Sequence, residues 1–150
     1  MGVAINPNEP FLTFPNDGGC FGCSASNSSG LGLRFQRHGE EVEVEYTVPD
    51  HFHGAPGVVH GGIVATILDE VSCAAVVFVE DQFVVTGELT IRYEKAVPVG
   101  EPLTITGRVV DRSHPKYLIV EAHIERGSQC LARSTGKFFV QERQPADAVP

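Results

Sequence analysis

Between Val59 and Val79 apolar residues recur every three or four positions, and over most of the rest of the chain from Leu31 to Gln141 they recur every second position. In the first stretch, VHGGIVATILDEVSCAAVVFV, residues Val64, Ile67, Leu68, Val71, Ala75 and Phe78 fall on one helix face, and no Gly or Pro follows Gly62. The pattern predicts one helix of about five turns. Its opposite face is also apolar or small, and only Asp69 and Glu70 carry charge. The helix is therefore expected to be buried nearly all round, with a carboxylate set into its middle. Taking an ionised carboxylate out of water costs several kcal/mol unless it is paired or its pKa moves, so this acid requires either a partner or a chemical role. On a helical wheel Asp69 lies opposite the main apolar stripe, in line with Gly62, Thr66, Cys73 and Val76.

The alternating stretches predict strands. Leu31/Leu33/Phe35 and Val42/Val44/Tyr46/Val48 flank His38-Gly39-Glu40 and read as a hairpin with one buried face. After the helix, residues 83–93, 103–110, 117–125 and 130–141 read as four further strands, and their short connections imply antiparallel pairing. The expected fold class is α+β, with about six antiparallel strands and a single long central helix. One helix cannot cover such a sheet, so a second copy of the chain is expected against it, as a homodimer or a dimer of dimers.

The 150 residues are most simply one domain, with an irregular arm over 1–30, a folded domain over 31–141 and a loose tail over 142–150. Phe11, Leu12 and Phe14 are the arm's apolar cluster and the part expected to dock. A formal charge of −8 argues against a nucleic-acid partner, because phosphate contacts need clustered Lys and Arg. Asp69 and Glu70 interrupt the best candidate for a membrane span. No secretory signal is visible, which makes the cytoplasm the expected location and Cys20, Cys23, Cys73 and Cys130 reduced thiols. Cys20-Phe21-Gly22-Cys23 has the spacing of metal or redox sites, but no second pair follows it. No metal and no separate cofactor are expected.

At the helix start, Gly61 and Gly62 leave the unpaired backbone N–H groups unshielded, and the helix dipole adds partial positive charge there. An oxygen gaining negative charge could be held at this point. Spacing alone leaves open a plainer reading, in which the glycines only let the helix begin close under a sheet and Asp69 is a satisfied buried acid.

The motifs CFGC followed by GLGLRF, then PGVVHGGIVATILDE, then LTIRYEKAVPVGEPL resemble those of the hotdog-fold acyl-CoA thioesterases, in particular the branch of the phenylacetate-pathway and THEM-type enzymes. The most specific feature is His-Gly-Gly with an acid nine residues after the histidine, His60 to Asp69. The resemblance implies a sheet wrapped around the helix and hydrolysis of an acyl-CoA thioester at sites shared between two protomers. It implies that Asp69 is the general base or nucleophile, that the Gly61 amide receives the carbonyl oxygen, and that Thr86 positions water or assists the acid. His60 is expected to orient its loop. The substrate-binding candidates are His53, Gly54, Gly62 and Glu70, together with Arg92, Lys95, Arg112 and Lys116 as cations for the phosphates of coenzyme A. Coenzyme A here is part of the substrate.

One position departs from the family pattern. Many relatives carry an Asn six residues before the histidine, where this chain has Gly54 beside His53. A thioester is activated enough that one carboxylate base, one oxyanion donor and a trapped water suffice. No G-x-S-x-G elbow is present, so a serine nucleophile is not indicated. Two rivals remain. A hotdog hydratase or dehydratase would use a loop histidine with a helix acid fourteen residues on, but Ala65 and Ile67 occupy those positions relative to His51 and His53. A non-catalytic acyl-CoA-binding protein would keep the fold and pocket without the reaction.

Overall fold

The computed structural model describes residues 11–14 and 18–142. Its elements follow in the order β1 (Gln36–His38), β2 (Glu41–Thr47), a 3-10 turn (Asp50–Phe52), α1 (Gly61–Ala75), a π-helical turn (Val76–Glu80), β3 (Phe83–Tyr93), β4 (Pro102–Asp111), β5 (Tyr117–Arg126) and β6 (Gln129–Gln141). The strands form one antiparallel six-stranded sheet in the order β1-β2-β4-β5-β6-β3. The expected fold class, α+β with a single long helix on an antiparallel sheet, is the one observed.

Alternation decides which side of each strand is buried. Val42 and Val44 of β2, Leu103, Ile105 and Val109 of β4, and Val120, Ala122 and Ile124 of β5 all lie on the covered side. Against them α1 sets Val64, Ile67, Leu68 and Val71, each at most 1% exposed. Full burial of side chains of this size contributes about 1.5–3 kcal/mol apiece. Small residues allow the close approach: Gly107, Ala122 and Ser134 are cross-strand neighbours on β4, β5 and β6. A Cβ on Gly107 would come within 2.7 Å of the Val71 carbonyl oxygen. The helix runs on through its π turn to Glu80 and stops at Asp81, whose left-handed backbone (φ 55°) turns the chain into β3. Over its 20 residues, Gly61–Glu80, this helix is long and apolar enough by composition to cross a membrane even with Asp69 and Glu70 in it, contrary to the expectation that the two acids interrupt such a span. In the fold its apolar stripe is spent on the sheet.

Two features differ from the sequence-based expectation. Leu31, Leu33 and Phe35 are buried as their alternation predicts, but they form no ladder with β2, and β1 is only three residues long. Their backbone is engaged elsewhere: Leu31 and Leu33 N–H donate to the carbonyls of Phe21 and Gly22, and Phe35 accepts from Leu12 at 2.8 Å. The second difference concerns β3 and β4, which are consecutive in sequence but do not pair. The connection 94–101 instead crosses the end of the sheet, pinned by Val59 N–H to Val97 O, Val99 N–H to Gly57 O and Gly100 N–H to Val48 O. That crossing sends β3 to the sheet edge beside β6 alone. The described part of the arm's apolar cluster is docked, with Leu12 buried and the Phe14 ring against Phe35 and Phe78. The expected tail is described only at Glu142, and most of it lies outside the described residues.

Candidate active site

The edge strand β3 carries a bulge between Thr86 and Glu88, so that Gly87 is the extra residue in its pairing with β6. A bulge switches the parity of the face. Before it Val84 packs toward the core, and after it Leu89 and Ile91 do. Thr86 shares parity with Val84, and its Oγ1 donates a hydrogen bond of 2.6 Å to Asp69 Oδ1. Gly87 has no room for a side chain, because a Cβ there would meet the Phe139 ring at 2.2 Å.

Asp69 is half-buried and Thr86 exposed, so the pair sits at the open flank of the fold beneath a strand edge that has no pairing partner among the described residues. Among the described residues Asp69 Oδ2 has no donor. One oxygen is thus oriented by a hydroxyl while the other remains able to take a proton from water, which is the arrangement a general base needs. Beside the pair, Cys73 Sγ lies 3.8 Å from Thr86 Oγ1. Burial, with the Asp69 charge as the next cause, pushes the Cys73 thiol up to about 12. It therefore stays protonated and is not a nucleophile at neutral pH.

Two turns earlier, the helix start is fixed by two side chains. His60 is the N-cap, and its Nδ1 accepts the Gly62 N–H at 2.9 Å. An accepting Nδ1 places the proton of the neutral ring on Nε2. The Gly62 amide is therefore spent within its own loop, and the expectation of two bare amides reduces to one. The Gly61 N–H has no acceptor among the described residues. Tyr93, at the end of β3, donates its hydroxyl to the Gly61 carbonyl at 2.7 Å. Sequence reasoning did not single out Tyr93; its signal was the parity it shares with Leu89 and Ile91.

The other candidates are dispersed. His53 Nδ1 contacts the Asp50 carbonyl at 2.6 Å within its own loop, and the His51 ring lies tilted against Phe52. Gly54 lies directly against His60, since a Cβ on it would stand 3.3 Å from His60 Cα. Glu70 faces away from Thr86, against the Cys20–Cys23 loop, with Cys20 Sγ 3.5 Å from Oε1. Burial is the main cause that raises its carboxyl above the ordinary value. Arg92 and Lys95 are exposed beside Tyr93, whereas Arg112 and Lys116 lie in the β4–β5 connection at the other end of β3. Arg112 is engaged by Glu80, its Nε 2.6 Å from Oε1.

A single long helix backed by one six-stranded antiparallel sheet, with β3 at the edge next to β6, defines this protein as a hotdog fold. The family model of the thioesterase superfamily matches residues 56–129, the segment from the loop before α1 to the start of β6. Among solved structures, a thioesterase superfamily protein is 26% identical with a TM-score of 0.71, over 77% of this chain and 56% of that one. The chain thus spans little more than half the length of that relative. A conserved protein from Pseudomonas aeruginosa is also 26% identical, with a TM-score of 0.68 over 79% of this chain and 95% of that one. A Streptococcus mutans protein bound to acetyl-CoA is 24% identical, with a TM-score of 0.67 over 75% of this chain and 90% of that one. No curated protein sequence matches significantly. Over residues 56–129 the chain is thus similar to the thioesterase superfamily.

Proposed function

We propose that the protein hydrolyses an acyl-CoA thioester to the free acid and coenzyme A, with Asp69 as the general base or nucleophile. The observation that carries this reading is the Thr86–Asp69 hydrogen bond, which leaves the second carboxylate oxygen able to act on water at an open flank. The bound acetyl-CoA of the Streptococcus mutans structure supports the same class of ligand.

Gly61 and Asp69 of one chain are eight residues apart on α1, roughly 12 Å along the axis at 1.5 Å per residue. A carbonyl carbon under attack needs base-activated water and oxyanion donor together, each within about 3 Å of the reacting atoms. One protomer cannot supply both to one thioester. A homodimer formed along the β3 edge resolves this, with Asp69 and Thr86 from one copy and the Gly61 amide from the other. Exposed Val85 and Tyr93 on that edge support burial there by a second copy. His60 and Tyr93 then act as positioning residues, holding the Gly61 peptide from two sides.

The hydratase reading is disfavoured because His51 and His53 are held within their own loop. Release of free thiol from a panel of acyl and aryl CoA esters by purified protein tests the proposal. Turnover of at least one ester supports it, and binding of CoA esters with no thiol release across the panel would instead establish the non-catalytic reading.

A further inference from the structure

Cys20, Cys23 and Glu70 come together although the glutamate is fifty positions from Cys20 in sequence, and their ligand atoms all lie within 4.8 Å of one another. The loop between the cysteines is shaped around the carboxylate. Gly22 is buried, and a Cβ on it would overlap Glu70 Cγ and Cδ at 2.3 Å, so any side chain there would displace the Glu70 carboxylate from the loop. Gly22 N–H also donates to Cys20 Sγ at 3.3 Å. The loop is anchored to the fold by Ser24 N–H to Cys20 O (3.0 Å), Leu31 N–H to Phe21 O (2.7 Å) and Leu33 N–H to Gly22 O (2.9 Å). The cysteines are therefore held by a backbone tied to the buried Leu31 and Leu33, not by a free arm.

We infer that Cys20, Cys23 and Glu70 form a zinc site, with two thiolates and one carboxylate as ligands and water in the fourth position. The dimensions fit. Tetrahedral zinc with sulfur at about 2.3 Å and oxygen at about 2.1 Å separates those ligand atoms by about 3.6 Å, against 3.5 Å between Cys20 Sγ and Glu70 Oε1. Two sulfur ligands select a soft or borderline cation over magnesium or calcium. All three side chains are half-buried in one pocket. A divalent cation bound there takes the place of the two thiol protons, which are released to solvent. In the sequence the Cys-x-x-Cys pair has no second pair, and the spacing of His51, His53 and His60 fits no standard zinc pattern; the third ligand is supplied by the helix, one residue after Asp69. The metal would clamp the 18–33 loop onto α1, a role that does not depend on the hydrolytic reading.

The test uses the full chain, reduced, stripped of metal and titrated with Co2+. The expected result is a thiolate-to-cobalt charge-transfer band and the intense visible bands of tetrahedral cobalt, saturating at one ion per chain and abolished by one equivalent of Zn2+. Cys23→Ser should remove the band, and Glu70→Gln, which loses a direct ligand, should weaken zinc affinity by about tenfold or more with an unchanged circular dichroism spectrum. If Cys23→Ser does not fold, Glu70→Gln decides. Reduced wild-type protein that shows no thiolate band, or that binds zinc as tightly after Glu70→Gln, overturns the assignment.

Discussion

The Thr86 hydroxyl donates to Asp69 Oδ1 across 2.6 Å, joining the edge strand β3 to the middle of α1. The contact depends on the extra residue Gly87, because without the bulge Thr86 could not share a face with Leu89 and Ile91. Removing the hydroxyl while keeping the shape, as in Thr86→Val, is expected to lower kcat about tenfold to a hundredfold with little change in KM. Thr86→Ser should restore most of it. Steady-state kinetics decides the matter, and an effect confined to KM would move Thr86 to a binding role.

Tyr93 reaches the Gly61 carbonyl from β3 and so helps to aim the Gly61 amide. Tyr93→Phe removes one hydrogen bond, worth about 0.5–1.5 kcal/mol. A loss of roughly two- to tenfold in kcat/KM is expected, with the melting temperature nearly unchanged. An unaltered kcat/KM would separate Tyr93 from the site.

Glu70 gives a pH signature in metal-free protein. Burial is the first cause that holds its carboxyl above the ordinary glutamate value. Native protein therefore keeps this proton to higher pH than the unfolded chain does. Between the two pKa values the folded state binds more protons, and stability falls as pH rises. The melting temperature of wild type should decline relative to Glu70→Gln as pH rises from 4.5. Parallel profiles for the two proteins would contradict the raised value.

Gly107 tests the packing of helix on sheet. A Cβ there meets the Val71 carbonyl oxygen at 2.7 Å and its carbon at 3.1 Å, both backbone atoms that cannot swing aside. Gly107→Ala is expected to cost about 1–3 kcal/mol, the range for overpacking a well-filled core. The denaturant midpoint reads this directly, and an unchanged midpoint would show that α1 has slack over β4.

Much of this fold was legible in the sequence because periodicity reports burial. The 3.6-residue stripe through Val64, Ile67 and Val71 located α1, and two-residue alternation located β2 and β3 to β6 closely. The same signal misled at Leu31, Leu33 and Phe35, which are buried but give their backbone hydrogen bonds to the Cys20–Cys23 loop and to Leu12. Alternation records which side chains are covered and is silent on who pairs with the peptide groups. Within the site, the isolated acid on an apolar helix marked Asp69, and the family motif marked Thr86. Tyr93 and the convergence of Glu70 on Cys20 and Cys23 were hidden, because each depends on contacts between residues 32 or more positions apart.

Asp69 is the group on which the proposed reaction rests, and its removal is the most direct test. Asp69→Asn keeps the size of the side chain and an acceptor for Thr86 while abolishing the base. With the best ester from the panel, thiol release by the purified variant is expected to fall about 10²- to 10⁴-fold in kcat, with the circular dichroism spectrum and the oligomeric state of wild type retained. Turnover equal to wild type in a folded Asp69→Asn protein would contradict the account.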